Sequence, residues 1–312
     1  MKKIGCVNID TSHPRSFGEY LKKSGRAGYY AIYNEGFRGD DEVAGFMKTY
    51  GVEKRCATLE ELAGSVDACF IHSCDWDRNL RLAEPLLKLG KPVFIDKPIA
   101  GRLSDCRKLE ALAAAGAVIL GCSSVRYAPE VAELAGKPEA ERGRFLTVFG
   151  SVGVDEFNYA IHIVEAIGGL LGTGAVSCRF LGRVEAEGKK SETFLVRFGS
   201  GVTAFYNTCL GVGQPFEMTA VTTRTTHHFR VDASRIYGAL LDRICDYLET
   251  GVNHLAPVAA LTESVKIMLA GRLSRERGGA EVGLEEIPAD DPGFDGTAFG
   301  AGYAAASRKI YA

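Results

Sequence analysis

The stretch Lys91-Pro-Val-Phe-Ile-Asp-Lys-Pro-Ile-Ala100 is a short apolar strand that runs into an Asp-Lys-Pro turn. Upstream, Val66-Asp-Ala-Cys-Phe-Ile-His-Ser-Cys74 reads as another buried strand, because its apolar residues run together instead of alternating. Between them, Asp77 to Leu89 carries Leu80, Ala83, Leu86, Leu87 and Leu89 at helical spacing, and Gly90 stops the helix. Strand, helix and strand in this order predict a parallel unit with Lys97 at the carboxyl end of its second strand, where open α/β sheets bind ligands. Pro98 fixes its own φ and biases Lys97 toward extended backbone, so the chain aims the ammonium.

The alternation continues outward. Strands are predicted over 3–9, 30–34, 55–57 and 118–123, with helical stretches over 17–23, 41–50, 59–62 and 104–115. This predicts an α/β fold whose amino-terminal domain, residues 1–123, is a Rossmann-like doubly wound parallel sheet. After residue 123 the pattern changes to short β-rich runs over 145–152, 175–181, 193–198, 202–207, 217–223 and 227–231. With helices over 158–167, 234–249 and 258–276, residues 124–289 read as an α+β domain with a largely antiparallel open sheet. The tail, 290–312, carries Phe294, Phe299, Tyr303, Ile310 and Tyr311 among Gly and Ala, and is expected to pack back on the body or on a neighbour.

The 312 residues carry a net charge of −2, which gives no electrostatic case for nucleic acid or an anionic membrane and points to a small-molecule partner. No apolar run approaches the ~20 residues that span a bilayer. Nine cysteines without a Cys-x-x-Cys pair, and no leader-like amino end, read as reduced thiols in a cytoplasmic protein. His227-His228 lie on opposite strand faces with no ligand at metal spacing, so no metal is expected.

The turn Asp96-Lys97-Pro98 resembles the Glu-Lys-Pro turn of the family named for glucose-fructose oxidoreductase, inositol dehydrogenase and MocA. Val125-Arg-Tyr-Ala-Pro129 is similar to that family's entry into its second domain. Asn158-Tyr-Ala-Ile-His162 is similar to its Asp-x-x-x-His helix, and Thr262-Glu-Ser-Val-Lys266 with Ser274-Arg-Glu-Arg-Gly278 to its closing helix. The resemblance implies hydride transfer between NAD or NADP and a sugar, polyol or related hydroxy compound. It also implies a homodimer or homotetramer formed through the carboxyl-terminal sheet.

Three places depart from the family pattern. A diphosphate turn needs Gly-x-Gly-x-x-Gly after the first strand, and here Asn8, Asp10 and His13 stand at the glycine positions, with Thr11 and Ser12 between. Asp10-Thr-Ser-His13 reads either as a remodelled cofactor rim or as plain helix capping. The second strand ends in Asn34 and Glu35 with Arg38 following, so Glu35 can take a ribose in shifted register or Arg38 a 2′-phosphate. Asn158 replaces the Asp of the helix motif. It can hold a hydroxyl but not take its proton, which leaves His162 or a neutral Lys97 as the base.

The expected catalytic set is therefore Lys97, His162 and Asn158. Tyr159 is a further substrate contact, Arg126 reads either as another or as the partner of an interdomain carboxylate, and His72, Ser73 and Asp96 stand with Cys74 at the nicotinamide end. The competing reading is a non-redox binding protein or enzyme of another class that has lost its dinucleotide on the same fold.

Overall fold

The computed structural model describes residues 1–307; Ile310 and Tyr311 lie outside the described residues. The first sheet is built from β1 (Lys2–Val7), β2 (Ala27–Tyr33), β3 (Lys54–Arg55), β4 (Ala68–Ile71), β5 (Val93–Ile95) and β6 (Ile119–Leu120). Between them run α1 (His13–Ser24), α2 (Asp40–Tyr50), α3 (Leu59–Ala63), α4 (Asn79–Lys88) and α5 (Leu103–Ala114). All pairings are parallel, in the order β3-β2-β1-β4-β5-β6, so the strand order reverses between β1 and β4. That is the position of the ligand crevice in an open sheet.

Both sheet faces are buried, which explains the unbroken apolar runs. Ile4, Ile32, Phe70, Phe94 and Leu120 face Phe17, Leu21 and Phe46, while Val7, Ile71, Val93 and Ile95 face Leu62, Leu82, Leu86 and Leu109. The apolar run expected as a strand over 66–74 narrows to four residues. Backbone beyond His72, whose N–H still donates to the Val7 carbonyl, leaves the ladder and forms the loop above the crevice.

The chain continues through α6 (Pro129–Gly136) and α7 (Glu139–Arg142) into a second sheet. Its strands are β7 (Phe145–Val154), β8 (Ala175–Ala186), β9 (Lys189–Phe198), β10 (Thr203–Leu210), β11 (Glu217–Thr222), β12 (Thr226–Arg230) and β13 (Val282–Gly283). The order is β12-β11-β7-β10-β9-β8-β13, antiparallel except for the parallel pair β7 and β10. In-register Ala220, Val148, Ala204, Val196 and Cys178 form a buried row on one face. There α8 (Ala160–Leu171) and α10 (Val258–Glu276) pack, whereas α9 (Ile236–Thr250) packs on α1 of the first sheet. Gly271 of α10 lets that helix approach closely, since a Cβ there would lie 2.5 Å from the Tyr206 hydroxyl. The opposite row, Thr219, Phe149, Phe205 and Leu195, has no helix over it among the described residues, and Phe149 is 39% exposed. The final helix, α11 (Gly296–Ser307), returns to the loop that follows β4.

Of the two readings of Arg126, the structure shows the ion pair with a carboxylate and not the cleft contact. Arg126 lies in the 3-10 turn Ser124–Tyr127, where its Nε donates to the fully buried Glu165 of α8 at 2.5 Å and its guanidinium reaches Ser264 Oγ at 3.3 Å. Burial pushes the Glu165 carboxyl up and the Arg126 charge opposes this, so the pair is a brace between elements. Arg126→Met strands a buried carboxylate and is expected to cost about 3 to 5 kcal/mol in urea denaturation. Adding Glu165→Met should recover most of that loss.

Candidate active site

β5 hands the chain to Asp96, whose carboxylate is 4% exposed and lies beneath the crevice. It accepts from His13 Nδ1 at 2.8 Å, His72 Nδ1 at 2.9 Å and the Lys97 backbone N–H at 2.8 Å. Burial pushes the carboxyl up, but the charge of His13 and the hydrogen bonds of both imidazoles outweigh it and hold Asp96 well below the usual range. Because a carboxylate only accepts, the His72 proton sits on Nδ1. Burial lowers the His72 pKa against the pull of Asp96, so the ring is neutral and its Nε2 accepts from the Tyr29 hydroxyl at 3.0 Å.

Lys97 follows directly. Its Nζ donates to Asn158 Oδ1 at 2.8 Å and to the Asn158 carbonyl at 3.2 Å, and lies 5.4 Å from the centre of the Tyr159 ring. Burial lowers the Lys97 pKa, with Asp96 and Asp155 pulling the other way. Asn158 Nδ2 donates to Asp155 Oδ2 at 3.2 Å, which turns the amide oxygen toward the lysine. Asn158 precedes α8 instead of sharing a helical face with His162, and the turn at 156–159 brings the two groups into one site.

His162, 5% exposed in the first turn of α8, pairs through Nδ1 with Ser123 Oγ at 2.7 Å, while that hydroxyl also accepts the Val125 N–H at 3.1 Å. Burial, with the Lys97 charge adding to it, holds His162 well below the ordinary histidine range, so the ring is neutral. The structure thus brings together Lys97, Asn158, Tyr159 and His162. Sequence reasoning did not find Ser123, Tyr29 or Tyr237, whose ring packs edge-on to His13 at 5.4 Å. Ser123 carried one usable signal, its place just after β6 at the ligand edge of the sheet.

The diphosphate turn is rebuilt. Asn8 takes the left-handed backbone of the first glycine, with φ 63°, which asparagine tolerates. Its Oδ1 accepts from the Glu35 N–H at 2.9 Å, and its buried Nδ2 has no partner among the described residues. Asp10 accepts from the Phe37 N–H at 3.3 Å and the Cys74 N–H at 3.2 Å, joining the loops after β2 and β4. Gly36 makes the space for it, since a Cβ there would lie 2.0 Å from Asp10 Oδ1. Burial pushes the Asp10 carboxyl up against those two amides and against Arg78 and Arg38. Thr11 Oγ1 accepts from the His13 N–H at 3.2 Å, and Ser12 makes no capping bond with its side chain.

At the other end of the crevice Asn34 donates to the Arg38 carbonyl at 3.0 Å. Glu35 is held by Arg78, Arg81 and the Tyr33 hydroxyl. Arg38 is 6% exposed and donates to Glu42 at 2.9 Å and to the Asp10 carbonyl at 3.1 Å. Neither Glu35 nor Arg38 stands free for a ribose or a 2′-phosphate, because each satisfies its charge within the protein. Ser73 Oγ donates to the Asp75 carbonyl, and burial pushes the Cys74 thiol up, away from nucleophilic use. The left-handed turn and the unpartnered Asn8 amide fit a diphosphate at the β1 exit.

Residues 4–123 match the model of GFO_IDH_MocA, an oxidoreductase family with the NAD-binding Rossmann fold. The match is confined to the amino-terminal Rossmann unit. The whole fold is similar to a "probable dehydrogenase" from Thermotoga maritima, with 16% identity, TM-score 0.77, and 92% of this chain and 100% of that one covered. It is also similar to scyllo-inositol dehydrogenase from Lactobacillus casei with bound NAD(H) and scyllo-inositol, at 14% identity, TM-score 0.75, 91% of this chain and 99% of that one. UDP-N-acetylglucosamine 3-dehydrogenase from Acidithiobacillus ferrooxidans aligns at 14% identity, TM-score 0.72, 88% of this chain and 97% of that one. No curated protein matches by sequence.

The Asn158 amide explains how Lys97 differs from a lysine held by an acid, because a neutral oxygen orients the amine without charging it. After reductive methylation with labelled formaldehyde, the Lys97 resonance should titrate below those of the surface lysines. In Asn158→Asp that midpoint should rise by about 1 to 3 pH units; an unmoved midpoint would show that the amide does not govern Lys97.

Proposed function

We propose that the protein is an NAD(P)-dependent oxidoreductase whose substrate is a sugar, polyol or related hydroxy compound, with Lys97 as the base. One observation carries this reading: a lysine of lowered pKa at the carboxyl end of β5, with two of its N–H groups committed to Asn158. A neutral amine has two N–H bonds, so both are satisfied there and the lone pair remains to take a hydroxyl proton. The resulting ammonium stands next to Asp96, whose negative charge is fixed by His13 and His72 and favours the charged form. Neutral His162 presents Nε2 to the substrate, and Ser123 and Phe216 fix the ring plane. Tyr159 provides an apolar and hydroxyl wall beside the same amine.

Asn8, Asp10, Thr11, Ser12 and His13 would hold the dinucleotide's diphosphate, with His72, Ser73, Asp96 and Lys97 toward its nicotinamide; Asn34, Glu35 and Arg38 would only shape the adenosine end, the charges of Glu35 and Arg38 being committed within the protein. When bound, the nicotinamide supplies the hydride acceptor at its C4. The scyllo-inositol of the Lactobacillus casei neighbour supports a polyol as the first substrate to try.

The nine cysteines are free thiols, which supports a reducing, cytoplasmic setting, and no helix among the described residues is long and apolar enough to cross a membrane. The uncovered row of Thr219, Phe149, Phe205 and Leu195 supports assembly into a homodimer or homotetramer through the second sheet.

Separate titrations with NADH and NADPH by calorimetry test the cofactor. Absence of heat for both, oxidised forms included, up to millimolar concentrations would defeat the redox reading in favour of a non-redox ligand at Lys97 and His162. Lys97→Met should lower kcat for polyol oxidation by about 10²- to 10⁴-fold with an unchanged circular dichroism spectrum. Since the base must be neutral, the wild-type rate should rise with pH and level off below the ordinary lysine value of about 10.4. In sedimentation experiments Phe149→Glu should shift the assembly toward monomer, and a wild-type monomer would dismiss the proposed interface.

A further inference from the structure

The terminal helix α11 lies against the loops that border the adenosine side of the crevice. It is anchored where Trp76 Nε1 donates to the Phe294 carbonyl at 2.7 Å, and where the Gly296 N–H donates to Asp77 at 3.1 Å. From there it crosses the loop after β4, so that a Cβ on Gly300 would lie 3.2 Å from Asp75 Cβ and 3.6 Å from Cys74 Sγ. One turn on, Tyr303 packs edge-on to Phe37 of the loop after β2 at 6.3 Å. It also lies close enough to Tyr237 to add to the rise that burial gives that hydroxyl. Cys74 and Phe37 are the two residues whose amides bind Asp10. The helix therefore spans the same two loops, after β2 and after β4, between which an open sheet of this order receives an adenosine.

The hold is of a releasable kind. α11 contains Gly300 and Gly302 in its interior, each costing about 1 kcal/mol relative to alanine, so docking rather than propensity sustains it. Phe299 and Tyr303 are only partly buried, and the other residues facing the body are small.

We propose that α11 is an intramolecular plug of the adenosine half of the crevice, docked in the free protein and displaced when a dinucleotide binds. This rests on the cofactor reading above. Because the plug competes from within the chain, apparent affinity is the intrinsic affinity multiplied by the fraction of molecules in which it is released. A helix docked nine times in ten weakens binding about tenfold.

Trp76 is the chain's single tryptophan and sits under the helix, its ring 4.8 Å from that of Phe299, so its emission reports docking directly. NADH should shift Trp76 emission to the red as the indole loses this cover. Removal of residues 295–312, which leaves the Phe294 anchor, should give the shifted emission without ligand and tighten NADH binding by about tenfold or more. Gly300→Cys places a thiol beside Cys74 and allows the helix to be locked by mild oxidation. The oxidised variant should bind no NADH in calorimetry, and reduction with dithiothreitol should restore binding. Equal or weaker binding after truncation, or equal binding by the oxidised and reduced variant, would overturn the plug while leaving the cofactor reading intact. If wild type, truncated protein and reduced variant all fail to bind NADH and NADPH, the cofactor reading falls and the plug with it.

Discussion

The site depends on one buried carboxylate. Asp96 lies under the ligand edge of the sheet and keeps its charge because two imidazoles and a backbone amide donate to it. Without those donors, desolvation would drive it neutral. With them it becomes a fixed anion next to Lys97, and the partners it recruits fix other parts of the fold. His13 ties the start of α1 to the end of β5, and His72 ties the end of β4 to Tyr29 of β2. The lysine above is tuned by opposing influences, burial favouring the amine and Asp96 the ammonium. The proposed role of Lys97, accepting and later releasing a proton, would be served by such a balance. A carboxylate at 158 would add a further anion to Asp96 and Asp155 and tilt it toward permanent charge.

The rebuilt diphosphate turn shows how a motif can change its letters and keep part of its geometry. A left-handed residue is still required at position 8, and asparagine supplies it at modest cost. Position 10 no longer needs to be small, because its carboxylate reaches into space left by Gly36 and binds two amides. The small residue has moved from one loop to the next. The third glycine position has become His13, whose ring is used beneath the site by Asp96.

Much of the architecture was legible in the sequence because periodicity and punctuation were clear. Each element of the parallel sheet was expected close to where it lies, since buried parallel strands leave unbroken apolar runs and Gly25, Gly51 and Gly90 end helices or turns with positive φ. Lys97 and His162 were legible as a pair through the Asp-Lys-Pro turn and the helix that follows. What escaped depends on long-range contact. Nothing local marks Tyr29 as a partner of His72, and Ser123 looked like the end of a strand. Arg126 stayed open between the cleft and an ion pair, because nothing local marks the buried acid 39 residues later. The parallel pairing of β7 with β10 was likewise invisible, because strand direction is set by connections rather than by residue pattern.

The terminal segment and the site meet in one aromatic cluster. Phe294 stacks on Phe157 with ring centres 4.0 Å apart, and Trp76 packs edge-on to Phe157 at 5.1 Å. Phe157 is the residue before Asn158, so the backbone that carries the lysine's amide partner is clamped between the tail's root and the loop after β4. Movement of α11 beyond Phe294 need not disturb this clamp, because the root has its own hydrogen bonds to Gly101 and Trp76. If the root itself let go, Asn158 would lose its support and Lys97 its orientation. The division between a fixed anchor and a releasable helix is therefore what allows the crevice to open while the chemistry stays assembled.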